Sequence, residues 1–178
     1  FERVQNVIIG DNYIAATAAL EEAKKLGYNA MLLTTFLEGE AREVAKAVAA
    51  LGKEVAFRGV PIPPPACLIL GGETTVTVKG KGKGGRNQEL ALAAAIALEG
   101  WENVTVVTLA TDGTDGPTDA AGAIVDGTTT RKAAERGLSP LAYLQDNDSY
   151  TFFQAIGDLL VTGPTNTNVN DLVFVFVK

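Results

Sequence analysis

Cys67-Leu68-Ile69-Leu70-Gly71-Gly72-Glu73-Thr74-Thr75-Val76-Thr77-Val78-Lys79-Gly80-Lys81-Gly82-Lys83-Gly84-Gly85-Arg86-Asn87-Gln88-Glu89-Leu90 is the stretch around which the chain is organised. Its first four residues are apolar and read as a buried strand that ends at a glycine pair. Thr75 to Val78 alternate polar and apolar, the pattern of a short second strand. A loop of alternating lysine and glycine follows, and then an Ala/Leu-rich helix from Arg86 to about Glu99. Strand, loop and helix in this order place the chain in the α/β class.

The flanks extend the same alternation. Downstream, Trp101 and Asn103 bridge to Val104–Ala110, a β-branched run that reads as a strand buried on both faces. Upstream, Val4 to Ile9 is an apolar β-branched run. Gly10-Asp11-Asn12 then turns the chain, with Asn12 placed to cap a helix from Tyr13 to about Leu26 that Gly27 closes. Ala30 to Thr34 reads as a strand and Glu38 to Leu51 as a helix closed by Gly52, so residues 1–60 form a βαβα segment with two parallel strands. Pro61 to Pro65 cannot be regular structure and marks a connector. Beyond residue 120, Asp126 or Thr128 caps a helix through Arg136. Ser139 to Leu144 and Ser149 to Ile156 are further helices, Asp158 to Val161 is a strand, and Leu172 to Val177 is apolar on both faces. The expected architecture is one layered α/β/α domain over residues 1–178, with a mostly parallel or mixed central sheet.

Composition narrows the chemistry. The 178 residues carry a formal net charge of -6, with 47% hydrophobic and 20% charged residues, which suits an ordinary globular core. The acidic balance and the single small basic cluster argue against nucleic acid as a partner. The longest apolar run, near Leu90 to Leu98, is far shorter than the roughly 20 residues of a membrane span. The first residues lack the layout of a signal peptide. One cysteine, Cys67, sits in an apolar run and reads as core, so a reducing, cytoplasmic compartment is expected. The sequence has no histidine, which removes the commonest general base and zinc ligand. Because the chain starts at Phe1 and not at Met, it is expected to be a piece of a longer polypeptide.

Lys79, Lys81, Lys83 and Arg86 concentrate positive charge within an acidic chain. Glycines between them would let a phosphate or carboxylate approach the backbone, and the N-terminus of the following helix would add N–H groups and its positive dipole end. The same residues also fit a solvated hairpin loop. No lysine here precedes Ser or Thr, so this is not a nucleoside-triphosphate P-loop. Gly80, Gly82 and Gly85 keep dinucleotide-fingerprint spacing, but no ribose-binding acid follows in the right setting.

A second concentration lies at the exit of the Val104–Ala110 strand, Thr111-Asp112-Gly113-Thr114-Asp115-Gly116-Pro117-Thr118-Asp119. It does not match a calcium loop, whose twelfth position is Glu where this chain has Ala123. Mg2+ suits Asp112 and Asp115 better, since it shares its coordination sphere with water and substrate phosphates. The alternative is that these aspartates brace turns through nearby backbone N–H groups. The later Thr162-Gly163-Pro164-Thr165-Asn166-Thr167-Asn168 loop offers neutral groups for an oxygen-rich ligand or bonds to itself.

Four blocks in order resemble the C-terminal part of the type II glycerate kinases, whose terminal module is called MOFRL and whose members are often labelled hydroxypyruvate reductases. The blocks are Gly71-Gly72-Glu73-Thr74-Thr75-Val76, Gly84-Gly85-Arg86-Asn87-Gln88-Glu89-Leu90, Ala110-Thr111-Asp112-Gly113-Thr114-Asp115-Gly116, and Thr162-Gly163-Pro164-Thr165 with Thr167-Asn168-Val169-Asn170-Asp171-Leu172. The resemblance makes residues 66–178 a MOFRL-like module. It implies ATP-dependent phosphorylation of D-glycerate at its 2-hydroxyl with Mg2+ as helper. It further implies a cleft shared with a larger N-terminal domain, which also contributes a lysine to the site. Arg86 matches the family's active-site arginine and is the expected catalytic residue; its replacement by alanine is expected to lower turnover by orders of magnitude and leave the fold intact. Gly71, Gly72, Glu73, Lys83, Gly84, Gly85 and Asn87 are the expected substrate- and phosphate-binding positions. The alternatives are NAD(P)H-dependent reduction of hydroxypyruvate, or a closing or dimerising module inactive by itself. Reduction would need a dinucleotide site, and the only glycine-bearing βα turn, at Gly10, has a single glycine.

Overall fold

The structure is a computed structural model that describes residue 4, residue 5 and residues 7–178. Helix α1 (Asn12–Lys25) is followed by β1 (Asn29–Leu37), α2 (Ala41–Arg58), β2 (Ala66–Gly72), α3 (Arg86–Ala97) and β3 (Val104–Ala110). Then come β4 (Gly122–Asp126), three short helices α4 (Thr129–Ala134), α5 (Pro140–Gln145) and α6 (Ser149–Ile156), β5 (Leu159–Leu160) and β6 (Asp171–Val177). The six strands form one sheet in the order β1-β2-β6-β3-β4-β5. Only β1 and β2 pair in parallel, joined by α2; β6 inserts antiparallel between β2 and β3. The sheet is therefore mixed, and the α/β/α layering holds.

Side-chain alternation assigns the two faces. Cys67 and Ile69 of β2, with Leu172 and the partly buried Phe174 and Phe176 of β6, pack against α1 through Ala16 and Ala23. Leu68 and Leu70, with Val173, Val175 and Val177, face α2 and α3. Helix α3 is buried from Asn87 through Ala95 because α2, α5, α6 and the sheet surround it, which explains why its apolar residues show no single stripe.

Several expectations change at this level. Val4 and Val7–Ile9 lie exposed and outside any strand, Ile9 at 93% exposure, with no strand partner among the described residues. The βαβ unit is instead β1-α2-β2. Asp11, not Asn12, caps α1, its Oδ1 accepting from the Ile14 N–H at 2.8 Å. Gly52 does not end α2. A Cβ there would stand 2.6 Å from Val104 Cγ1 and 2.9 Å from Val175 Cγ1, so the glycine lets the helix lie close on the sheet, and Gly59, at φ 69°, ends it. Thr75–Val78 is no strand: Thr75 makes one bridge to Glu40, and Glu40 Oε1 takes the Thr77 N–H. Burial alternates along β3, since α1 alone covers that side of the sheet. The sequence reading missed β4, a five-residue strand between aspartate-rich turns. No described helix is long and apolar enough to cross a membrane.

Candidate active site

One end of the sheet gathers the residues of interest. The pairings Leu37↔Gly72, Gly72↔Asp171 and Ala110↔Asp171 align the C-terminal ends of β1, β2 and β3 with the first residue of β6. Arg86 opens α3 at this same end, and Asp112 lies two residues past β3. The Arg86 and Asp112 ends thus converge. A roomier cleft, about 480 Å³ and lined by Tyr28, Pro65 and Lys178, opens at the opposite end, beside Asn29, Ala66 and Val177, and contains none of these groups.

Arg86 is held by side chains. Its Nε donates to Asp171 Oδ2 at 2.5 Å and one Nη to Oδ1 at 3.0 Å, a two-point fork, while the other Nη lies 3.0 Å from Glu73 Oε1. The Asp171 side chain is 7% exposed, that of Arg86 32% and that of Glu73 51%. The hydrogen bond that Arg86 donates to Asp171 raises the Arg86 pKa above its ordinary value, against the opposing effect of burial. Removing Arg86 would leave Asp171 buried without this partner, so the fold is not indifferent to the residue.

Gly71 and Gly72 shape the floor. A Cβ on Gly71 would overlap the Asn12 amide, which donates to Val169 O at 2.7 Å and Asp171 O at 3.0 Å and so ties α1 to the loop before β6. Gly72, at φ 148°, packs against the Leu37 backbone with no room for a side chain.

The start of α3 is already occupied by an anion from the chain itself. Asp115 Oδ1 accepts from the Asn87 N–H at 3.1 Å and Oδ2 from the Gln88 N–H at 2.8 Å. Burial pushes the Asp115 carboxyl up to about 6, against the pull of these N–H groups. The buried Asn87 side chain also turns to Asp115, and the Asn87 backbone carbonyl accepts from Thr108 Oγ1 at 2.8 Å. Gly84 and Gly85 are needed for contact with Ser149 and Asp115, where a Cβ would overlap each. Asp112 Oδ1 accepts from the Thr114 N–H at 2.9 Å and Oδ2 from Asn168 at 3.3 Å. The Thr/Asn loop is stitched to the same strand exit by Thr111 Oγ1, which donates to Asn170 O at 2.7 Å and accepts from the Val169 N–H.

The Lys/Gly loop is fixed through its backbone. Asn147 Oδ1 accepts from the Lys79 and Gly80 N–H groups at 2.8 and 3.0 Å, Asp146 Oδ1 from Lys81, and Asp148 Oδ1 from Lys83. Gly80 and Gly82 abut Asp146 and Asp148, where a Cβ would overlap. Asn147 is itself held by Glu89 Oε2 at 2.8 Å, and Glu89 pairs with Arg42. Lys83 Nζ sits 4.4 Å from the centre of the Tyr150 ring. The glycines therefore serve contact with the protein's own α5–α6 turn. Sequence reasoning gave no role to Asp171 or to the Asp146-Asn147-Asp148 clasp. Three consecutive acceptors matching a run of alternate glycines was the available signal.

The MOFRL family model matches residues 66–171. The chain belongs to the MOFRL family. It is 54% identical over 166 residues to a D-glycerate 2-kinase of Thermotoga maritima, covering 93% of this chain and 40% of that protein. It is 48% identical over 175 residues to a glycerate 2-kinase of Pyrococcus horikoshii, covering 98% and 40%. The crystal structure of glycerate kinase from Thermotoga maritima superposes with a TM-score of 0.96 at 52% identity, covering 98% of this chain and 42% of that one. This MOFRL chain thus spans about 40% of the length of the relatives it matches, and its mixed α/β fold is that of a glycerate kinase segment.

Proposed function

We propose that this chain is the C-terminal part of a two-domain, cytoplasmic glycerate 2-kinase that transfers the ATP γ-phosphoryl group to the 2-hydroxyl of D-glycerate. The observation that carries this reading is Arg86, held in a two-point fork by the buried Asp171 at the strand-exit edge. The names of the relatives support the choice of substrate. In the transfer the hydroxyl oxygen bonds to the γ-phosphorus, the bond to the β–γ bridging oxygen breaks, ADP leaves and the hydroxyl proton is released. Such a step asks a protein chiefly for positioning and charge neutralisation, which suits a chain without histidine.

In this reading Arg86 clamps the glycerate carboxylate or the moving phosphoryl group. Two of its five N–H groups are engaged by the buried Asp171 and a third faces the exposed Glu73, so at least two remain for the ligand. Asp115 fixes the start of α3 and with it the stem of Arg86. Gly71 and Gly72 keep the floor free of side chains. Lys79 and Lys81 draw the nucleotide toward the loop from their exposed positions. The larger N-terminal domain of the same polypeptide closes the cleft.

The pair Asp112 and Asp115 does not fit Mg2+. Both Asp115 oxygens face backbone N–H groups, and no group of three or more potential ligands occurs among the described residues. Reduction of hydroxypyruvate is disfavoured, because the described residues before Gly10 lie in no strand that could lead into a dinucleotide-binding turn.

The test is to incubate the full-length protein with ATP and D-glycerate and to follow ADP release and the 31P signal of the product. Formation of 2-phosphoglycerate is expected, and oxidation of NAD(P)H with hydroxypyruvate in its place would overturn the reading.

A further inference from the structure

Arg86 poses an electrostatic problem. A residue meant to attract an anion is flanked by two carboxylates, so the Arg86–Asp171–Glu73 cluster carries a net negative charge before any ligand arrives. The two carboxylates differ in setting. Asp171 is the first residue of β6, its side chain is 7% exposed, and its only side-chain partner among the described residues is Arg86. Glu73 follows the end of β2, its side chain is 51% exposed, and it reaches one Nη atom only.

Burying a carboxylate for this purpose is a poor way to gain stability, since well-packed apolar residues commonly stabilise such a site as well or better. What a buried fork does supply is geometry. Two parallel hydrogen bonds fix the plane of the guanidinium, and the outward N–H groups inherit that orientation. An exposed single-point ion pair such as the one to Glu73 contributes little and exchanges readily with solvent or another anion.

We infer that Asp171 is a positioning residue that holds the Arg86 guanidinium from the buried side, and that Glu73 occupies the Nη position which the substrate's carboxylate or phosphoryl oxygen takes on binding. This rests on the kinase reading for the identity of the substrate, but the division of labour between the two carboxylates stands on their geometry. Binding then exchanges one oxygen anion for another at Nη. Asp171 stays in place through the cycle.

The test uses the full-length protein and three variants, Asp171→Asn, Arg86→Ala and the double substitution, each checked for folding by circular dichroism. Asp171→Asn is expected to lower kcat about 100-fold through misplacement of the fork, with KM for D-glycerate unchanged or lower because a nearby negative charge is gone. In the Arg86→Ala background the same change should cost nothing further in kcat/KM, since Asp171 acts only through Arg86. Glu73→Gln should lower KM about two- to five-fold by removing the competing anion. A purely structural Asp171 would instead multiply the loss in the double variant, and that result, or kcat within about twofold of wild type in Asp171→Asn, overturns the inference. The Arg86 Nε–H NMR resonance gives a reading that does not depend on turnover. It should be slow to exchange in the wild-type protein and lost in Asp171→Asn. Were the wild type inactive on glycerate, the kinase reading would fail. Loss of that resonance in Asp171→Asn would still support the inference, and its survival there would overturn it.

Discussion

Arg86 and the Lys79–Lys83 loop read as one cationic feature along the chain, yet the molecule holds them in opposite ways. At Arg86 the charged head itself is fixed, by the Asp171 fork, on a helix whose first turn Asp115 locks. In the loop the backbone is fixed, by Asp146, Asn147 and Asp148, and the lysine heads of Lys79 and Lys81 carry no ion pair within 4.0 Å among the described residues. A fixed head gives direction as well as charge, which a reacting phosphoryl group requires. A fixed backbone with free heads gives attraction over a distance that falls with salt. Positive charge in a sequence thus says little about which of these jobs it does.

The largest break in this contrast comes from Arg86→Ala. Turnover should fall by orders of magnitude, and the orphaned Asp171 should also cost about 3–5 kcal/mol of stability, seen as a lower urea midpoint. A variant inactive but as stable as wild type would show that Asp171 finds another partner. Asn147→Ala attacks the other region. It strips the Lys79 and Gly80 N–H groups of their acceptor and Glu89 of a donor, so a loss of about 1–3 kcal/mol is expected, with faster hydrogen exchange at those two amides.

Asp115→Asn sharpens the account of α3. The carboxyl pKa is raised from 3.8 to about 6 in the folded chain, so the folded state holds this proton more tightly than the unfolded one. The stability linked to that proton is complete below about pH 3.8 and is lost as pH rises to about 6. The substitution should flatten the stability profile across this window, and an unchanged slope would assign it to other groups. The smallest effect is expected from Lys81→Ala, within about 0.5 kcal/mol in stability because its backbone N–H bond to Asp146 survives. Its trace should be a weaker salt dependence of kcat/KM.

Much of the scaffold was legible in advance. Val104–Ala110 and Ser149–Ile156 were bounded as the structure has them, because one is a β-branched run and the other a segment between Asp148 and the αL residue Gly157. The family blocks pointed to Arg86. Two failures share a cause: Thr75–Val78 and Gly52 each obeyed a local rule that a distant partner overrode. A strand needs an edge, and a glycine inside a helix is well placed when Val104 and Val175 press against it.

By itself the sequence determined the α/β class, the order of its main elements, the family and the arginine at the head of α3, since these follow from short-range periodicity and contiguous motifs. Only the tertiary structure decided that β6 would slip between β2 and β3, bringing Asp171 beneath Arg86 across 85 positions of sequence. It likewise decided that Asp115 would fill the helix start that seemed open to a ligand. Pairings at such separation depend on sheet order and burial, which no local pattern encodes, and they determine which charges remain free to meet a substrate.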